Sequence, residues 1–419
     1  MTRRSASLRE VSPSEIVRGT DTRDMLARAQ RQAEDRSYDD YLIVDVDAHQ
    51  FETQSWPQIV EYVKNPVIKG IAESFENNGR MYPGILQSTG WPNYQHMAGR
   101  IPHERGLEEP TGDAPDVHPD VVLARRAMDS MGIDYQVVFP TPMLVLGLHP
   151  EPETEAALAE AYNAWMMERV VPGDDRLLFL PYVPFNDPAA AEATVREYLD
   201  NPRVAGFVVT SCRYRPVHHN CYMRLYSMLE EAGKPIAFHA GPNWEKDGYV
   251  GQLNRFLTVH AVSFALCNIV HLSNWVINGI PERFPRLKSI WVESGLSWLP
   301  FVMQRLDSEY LMRSSEAPLL RRMPSDYIRE MYFTNQPMEF TSPRMLEATF
   351  AEINAETQLL YSSDWPHWDF DLPSVIFDLP FLSDEARRNI MGLNACRAFG
   401  LDLKKRSPGT PRTQEKTDD

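Results

Sequence analysis

Apolar runs of strand length alternate with stretches of helical periodicity along most of the chain. The strand candidates are LIVDVDAH (42–49), DYQVVFP (134–140), LLFLPYVP (177–184), VAGFVVT (204–210), PIAFHA (235–240), LKSIWVE (287–293), REMYFTN (329–335) and QLLYSSDW (358–365). Between them, segments such as PDVVLARRAMDSM, ETEAALAEAYNAWMMERVV, PAAAEATVREYL, CYMRLYSMLEEA and SDEARRNIMGLNACRAFG place apolar residues three or four positions apart, the spacing of one helix face. Eight such units predict an α/β fold, a (β/α)8 TIM-type barrel rather than a doubly wound sheet. The barrel is expected over residues 41–403. A polar extension precedes it at 1–40, with one amphipathic helix candidate in RDMLARAQRQAED, and a disordered tail follows at 404–419.

One connection breaks the rhythm. About residues 50–118 separate the first strand from its helix, and the segment is rich in Gly, Pro and aromatics, including Tyr82, Trp91 and Tyr94. Insertions of this length are either functional loops or disorder, and the aromatic content points to order. The expectation is a lid over the mouth of the barrel, with Trp91 against the substrate.

The first strand also carries an unusual pattern. Asp45, Asp47 and His49 occupy alternate positions after an apolar start. In a strand these positions share a face, so a buried strand would aim two acids and an imidazole into the interior. Such groups need partners there, either one another or a metal ion.

Composition narrows the rest. The 419 residues are 43% hydrophobic and 24% charged, ordinary values for a folded domain. Nothing approaches roughly 18 uninterrupted apolar residues, and the N-terminus lacks the apolar centre of a secretory signal, so no membrane partner and a cytoplasmic location are expected. The four cysteines form no CxxC pair, which argues against a thiolate zinc site. A net charge of −16 opposes nucleic-acid binding and favours a small-molecule substrate. No Gly-rich phosphate motif follows the first strand.

In barrel enzymes the chemistry sits at the C-terminal strand ends. Ligand-type residues recur there: Asp47 and His49 on the first strand, His239 on the fifth, Glu293 on the sixth and Asp364 on the eighth. Imidazole and carboxylate without thiolate suit Zn, Mn or Fe with a position left open. His260 is a further ligand candidate, and His367 a further acid-base candidate. With these added the donors exceed the needs of one ion, so one or two ions are expected. Asp45 and His271 are assigned supporting roles behind the ligands, Asp45 by orienting one of them. Arg213 and Arg215, just after the fourth strand, are candidates to bind a substrate carboxylate. Asp364, His260 and His367 are the candidate catalytic groups.

At these residues the chain resembles the amidohydrolase superfamily, specifically the amidohydrolase-2 branch that includes the aminocarboxymuconate-semialdehyde and γ-resorcylate decarboxylases. The resemblance runs from about residue 40 to 402 through DVDAH, AMDSMGIDYQVVFPT, LPYVPFNDP, GKPIAFHAG, GIPERFPRLKSIWVESGLSW and LLYSSDWPHWD. It implies a divalent metal held by Asp47, His49, His239 and Asp364. It also implies hydrolysis or decarboxylation of a small carboxylate-bearing substrate. Two departures stand out: the fourth strand has no lysine to bridge two metals, and Glu293 stands where the decarboxylases commonly carry a histidine. The alternative is a dinuclear iron or manganese-iron oxygenase that hydroxylates a small amino or organic acid. A homo- or hetero-oligomer is expected in either case.

Overall fold

The computed structural model describes residues 21–74, 105–112, 116–210, 214–239, 252–253 and 255–406. Among the described residues eight strands lie in chain order: β1 (Val44–Gln50), β2 (Tyr135–Pro140), β3 (Leu177–Phe179), β4 (Phe207–Val209), β5 (Ile236–His239), β6 (Ser289–Val292), β7 (Tyr332–Thr334) and β8 (Leu359–Leu360). All pairings are parallel and between consecutive strands, giving one sheet of β1 to β3 and another of β4 to β8. Isolated parallel bridges join Phe179 to Val204 and Tyr182 to Val208 on one flank, and Ala48 to Trp365 on the other. On that second flank the Val46 amide donates to the Tyr361 carbonyl at 2.9 Å, and the Asp364 amide to the Asp47 carbonyl at 2.7 Å. Parallel strands need crossovers, and the predicted helical stretches supply them.

The crossovers and flanking helices include α1 (Thr22–Asp35), α2 (Glu52–Glu61), α3 (Pro66–Ser74), α4 (Pro119–Met131), α5 (Pro152–Trp165), α6 (Pro188–Tyr198), α7 (Met223–Ala232), α8 (Phe256–Ile277) and α9 (Trp298–Arg313), and a further helix, Pro343–Glu352, crosses from β7 to β8. Local chemistry starts and stops them where the sequence suggests. The Asp187 carboxylate caps α6 by accepting from the Ala189 and Ala190 amides, with Pro188 at the first helical position. Gly132 ends α4 in the left-handed region at φ 72°. Every position of β1 is buried, as expected of a parallel strand covered on both faces.

Several particulars differ from the sequence reading. The strands are shorter than their apolar runs, and Glu293 and Asp364 lie just beyond β6 and β8 rather than on them. The pairing of β1 with β2 shifts register between Asp45 and Ala48, a bulge that the alternating pattern does not announce. The long insertion opens with two helices, α2 and α3. Its aromatics Tyr82, Trp91 and Tyr94 lie outside the described residues. At the N-terminal side α1 packs on α4, with Met25 and Ala29 buried. At the C-terminal side Lys405 pairs with Asp134 at 3.2 Å and Arg406 with Asp175 at 2.7 Å, and residues 407–419 lie outside the described part.

One helix stands out by its mean hydropathy. The stretch Leu257–Ile277 of α8 is long and apolar enough to cross a membrane by length and composition. It was invisible to a search for uninterrupted apolar residues because His260, Ser263, Asn268, His271, Ser273 and Asn274 break the run without adding charge. In the fold α8 packs one side inward, through Val259, Leu272, Trp275 and Val276.

Candidate metal centre

Two overlapping sets of donors meet at the ends of the strands. Asp47, His49, His239 and Glu293 form one, and His49, Glu293, Asp364 and His367 the other, each with ligand atoms within 4.8 Å of one another. All are buried except His367, which is partly exposed. Their backbones are fixed by β1, β5 and the turns that follow β6 and β8. Both turns are strained: Glu293 has φ 50° and Asp364 φ 61°, left-handed values that L side chains avoid. Gly295, at φ 68°, lets the chain leave the site after Glu293.

The spacing tests whether an ion fits. The His49 Nε2 atom lies 3.2 Å from Asp47 Oδ1 and 3.2 Å from Asp364 Oδ1. The His239 Nε2 atom lies 3.2 Å from Asp47 Oδ1, 3.3 Å from His49 Nε2 and 3.3 Å from Glu293 Oε2. Donors about 2.0–2.2 Å from one ion stand about 3.0–3.4 Å apart when adjacent around it, so Asp47, His49, His239 and Glu293 have the dimensions of one coordination shell, with Asp364 next to His49 in the overlapping set. Glu293 Oε2 is 4.0 Å from His49 Nε2, nearer the separation of opposite donors. Among the described residues, Asp47 Oδ2, Glu293 Oε2 and Asp364 Oδ2 are buried without a hydrogen-bond partner, which a metal-free interior leaves at a cost. The centre is suited to a divalent transition metal.

The surrounding hydrogen bonds prepare the donors. His49 Nδ1 lies 2.8 Å from the Pro140 carbonyl; donating there leaves Nε2 with its lone pair toward the centre. His367 Nδ1 is 2.6 Å from Asp364 Oδ1, and its Nε2 is 3.2 Å from Thr141 Oγ1. A proton on Nδ1 toward the carboxylate leaves Nε2 to accept from the Thr141 hydroxyl. The Thr141 amide in turn donates to Glu52 Oε2 at 3.0 Å. Asp45 accepts from the Ser363 amide at 2.8 Å, the Ser363 hydroxyl at 2.6 Å and Gln136 Nε2 at 3.1 Å. It thereby ties β1 to the turn that carries Asp364.

The electrostatics follow from burial and these partners. Burial raises the Asp47 carboxyl, but the His239 and His49 imidazoles overcome it and leave it below its usual range. Asp364 is likewise depressed, burial being outweighed by His367 and His49. Burial works against protonation of His49, yet the bonds to Asp364 and Asp47 hold it well above an ordinary imidazole. Burial and then the Asp364 and Asp47 charges push Glu293 well above a usual carboxyl. Burial also lifts Asp45 and Glu52, each to about 7. The negative charge gathered here is what a cation would neutralise.

The remaining sequence candidates are placed differently. His260 is brought into neither donor set; its Nε2 lies 3.7 Å from Asp369 Oδ2, and its ring is 5.1 Å from that of Trp368. Asp369 also takes a 3.4 Å contact from Gln336 Nε2. His271 packs behind β5, its ring 6.2 Å from Phe238, and burial lowers it to about 4. It supports the strand rather than orienting a donor. Arg215 donates to the Asn186 carbonyl at 3.3 Å. Arg213 and Trp91 lie outside the described residues. Sequence reasoning missed Glu52, Thr141, Gln336 and Asp369. Glu52 and Asp369 each sit within five residues of a donor, a signal that was available.

A family model described as Amidohydrolase matches residues 85–401. The chain belongs to the amidohydrolase family. This amidohydrolase is 24% identical over 286 residues to a gamma-resorcylate decarboxylase of Rhizobium sp. (strain MTP-10005), covering 66% of this chain and 86% of the relative. A solved amidohydrolase from Mycobacterium avium subsp. paratuberculosis K-10 superposes with a TM-score of 0.66 at 18% identity, over 86% of this chain and 99% of that one. A dihydroxybenzoic acid decarboxylase from Polaromonas sp. JS666, solved with bound manganese and 2-nitroresorcinol, gives a TM-score of 0.57 at 20% identity, over 73% and 95%.

Proposed function

We propose that this amidohydrolase is a metal-dependent carboxy-lyase that removes the carboxyl group of a small hydroxylated aromatic acid, at the C-terminal mouth of a closed (β/α)8 barrel. The observation that carries the reading is the pair of donor sets that share His49 and Glu293, one completed by Asp47 and His239 and the other by Asp364 and His367. The names of the relatives supply the reaction class and the substrate chemistry. The flanking bridges between β3 and β4, and between β1 and the segment after β8, favour closure of the barrel.

A bound divalent cation supplies a Lewis acid that anchors an anionic substrate oxygen. The residues do the rest. Asp47, His49, His239 and Asp364 hold the ion, while His367 and Asp45 keep Asp364 in place. As the bond from ring carbon to carboxyl breaks, carbon dioxide leaves and the electron pair stays on the ring, which must receive a proton. His260 is the donor in this reading, and Asp369 orients its imidazole and balances its charge. The pair would supply this proton in a chain that has Glu293 where the decarboxylases it resembles commonly carry a histidine. The lid over the mouth, including Trp91, is part of the same proposal.

The test is turnover of 2,6-dihydroxybenzoate and of related carboxylated phenols by protein loaded with manganese or zinc. Carbon dioxide release, with one deuterium at the vacated ring carbon in heavy water, is expected. A hydroxylated product formed with consumption of oxygen, or no carbon dioxide from any such acid, overturns the reading. His239→Ala and Asp364→Ala are expected to lose activity and most bound metal while keeping a native far-ultraviolet circular dichroism spectrum. Full metal occupancy in either variant overturns the ligand assignment.

A further inference from the structure

The wall of the site that follows β7 is short of hydrogen-bond donors. Gln336, just beyond the end of β7, is 1% exposed, and its Oε1 atom is buried without a hydrogen-bond partner. Asp369 Oδ1 is buried without one as well. The two side chains meet: Gln336 Nε2 lies 3.4 Å from Asp369 Oδ2 and 3.4 Å from the Asp369 carbonyl oxygen. That contact fixes which way the carboxamide faces. Its nitrogen sits against two acceptors, so turning the group over would set oxygen against oxygen. The backbone beneath it is held as firmly. The Gln336 amide donates to Ser362 Oγ at 3.0 Å, while Asn335 accepts from the Ser362 amide at 2.8 Å and donates to the Ser362 carbonyl at 3.3 Å. Gln336 is therefore tied to the segment that leads into Asp364.

We propose that Gln336 is a specificity-determining residue, whose carboxamide oxygen, together with Asp369 Oδ1, accepts hydrogen bonds from an amino group on the substrate ring. The inference rests on the carboxy-lyase reading and names a second substituent of its substrate. A buried acceptor without a donor costs about 1–3 kcal/mol, and a substrate that supplies the hydrogen recovers it on binding. Two acceptors wait on this wall, and a primary amine brings at least two hydrogens where a phenolic hydroxyl brings one. Charge points the same way. Glu293 feels the charge of Asp369, and Asp369 that of Asp364; such surroundings disfavour a phenolate and favour a group that donates. Among the described residues no Lys or Arg pairs with Asp369, whose ion pair is with His260 at 3.7 Å. The His260 and Asp369 side chains are 21% and 14% exposed, so the wall can be reached from outside at this point.

The experiment is calorimetric titration of the manganese-loaded full chain with 3-aminophenol, 3-methoxyphenol and resorcinol. None has a carboxyl group to lose, so binding is read without turnover. The amine is expected to bind about tenfold or more tightly than the methoxy compound, and more tightly than resorcinol. Gln336→Met keeps the length of the side chain and removes its acceptor. There the preference is expected to fall to about threefold or less, with metal content and far-ultraviolet circular dichroism as in the wild type. If that variant misfolds, the wild-type order alone decides. Equal binding of the three by the wild type assigns the two acceptors to bound water and overturns the proposal. A preference for resorcinol, a preference for the amine that Gln336→Met retains, or no binding of any of them overturns it too. An intact preference for the amine, with no carbon dioxide released from 4-amino-2-hydroxybenzoate, supports the role of Gln336 while overturning the carboxy-lyase reading.

Discussion

Glu293 and Asp364 hold left-handed backbone conformations, and both are candidate metal donors. Strain of that kind costs about 1–3 kcal/mol per residue and survives only where the surroundings enforce it. For Asp364 the enforcement is visible in Asp45, whose carboxylate holds the Ser363 amide and hydroxyl. Asp45→Ala strands those buried donors and Gln136, so a loss of about 3 kcal/mol or more is expected in a denaturant titration. His367→Ala removes the 2.6 Å bond to Asp364 without touching the other donors. Metal affinity is expected to fall about 10–100-fold, read by competition with a chromophoric chelator, with the fold intact. Unchanged affinity would make His367 a bystander. The donors Asp47, His49, His239 and Asp364 were legible because each ends an apolar run. Thr141 and Gln336 were not, since a lone Thr or Gln in a loop carries no pattern and acquires its role only through distant partners.

The crossover helices were legible too, from periodicity and from caps such as Asp187 and Gly132. What the pattern could not supply was where a strand stops pairing. An apolar run continues past the last ladder bond, so β8 pairs through Leu359 and Leu360 while its run extends to Trp365. The β1 bulge was hidden because all seven positions are buried and the alternation of Asp45, Asp47 and His49 runs through the shift unbroken. The turn after β6 yields a direct test. A Cβ on Gly295 would lie 2.7 Å from Glu339 Oε1, the carboxylate whose oxygens accept from the Leu296 and Ser297 amides at the start of α9. Gly295→Ala also has to hold φ 68° with a side chain. A loss of about 1–3 kcal/mol is expected, together with weaker metal binding as Glu293 is displaced. Normal metal affinity at reduced stability would show that the turn does not position Glu293.

Charge couples the centre to the stability of the entire fold. Glu52, in the first turn of α2, and Glu155, in the first turn of α5, are both buried, and burial lifts each carboxyl to about 7. The folded chain therefore keeps protons that the unfolded chain releases near its ordinary carboxyl range. Their stabilising contribution is complete below about pH 4 and is lost as pH rises through about 7. Metal-free protein is expected to show a lower urea midpoint at about pH 7.5 than at about pH 5, and Glu155→Gln to flatten that difference. A midpoint that rises over the same interval contradicts these assignments. The eight-unit architecture was legible in the sequence, whereas the apolar character of α8 was not, because polar but uncharged residues interrupt its run. The contact between β1 and the segment after β8 bears on how the protein is made. Asp45 and its partner Ser363 are 318 residues apart, and the β1 amides use carbonyls of Tyr361 and Trp365. On the ribosome, Asp47 and His49 emerge early and wait, with buried-type acids exposed, until nearly the last strand is translated. The second donor set, which includes Asp364 and His367, is thus incomplete in every nascent chain that stops short of Asp364, so its full complement of donors assembles only after β8 and the turn behind it have been made.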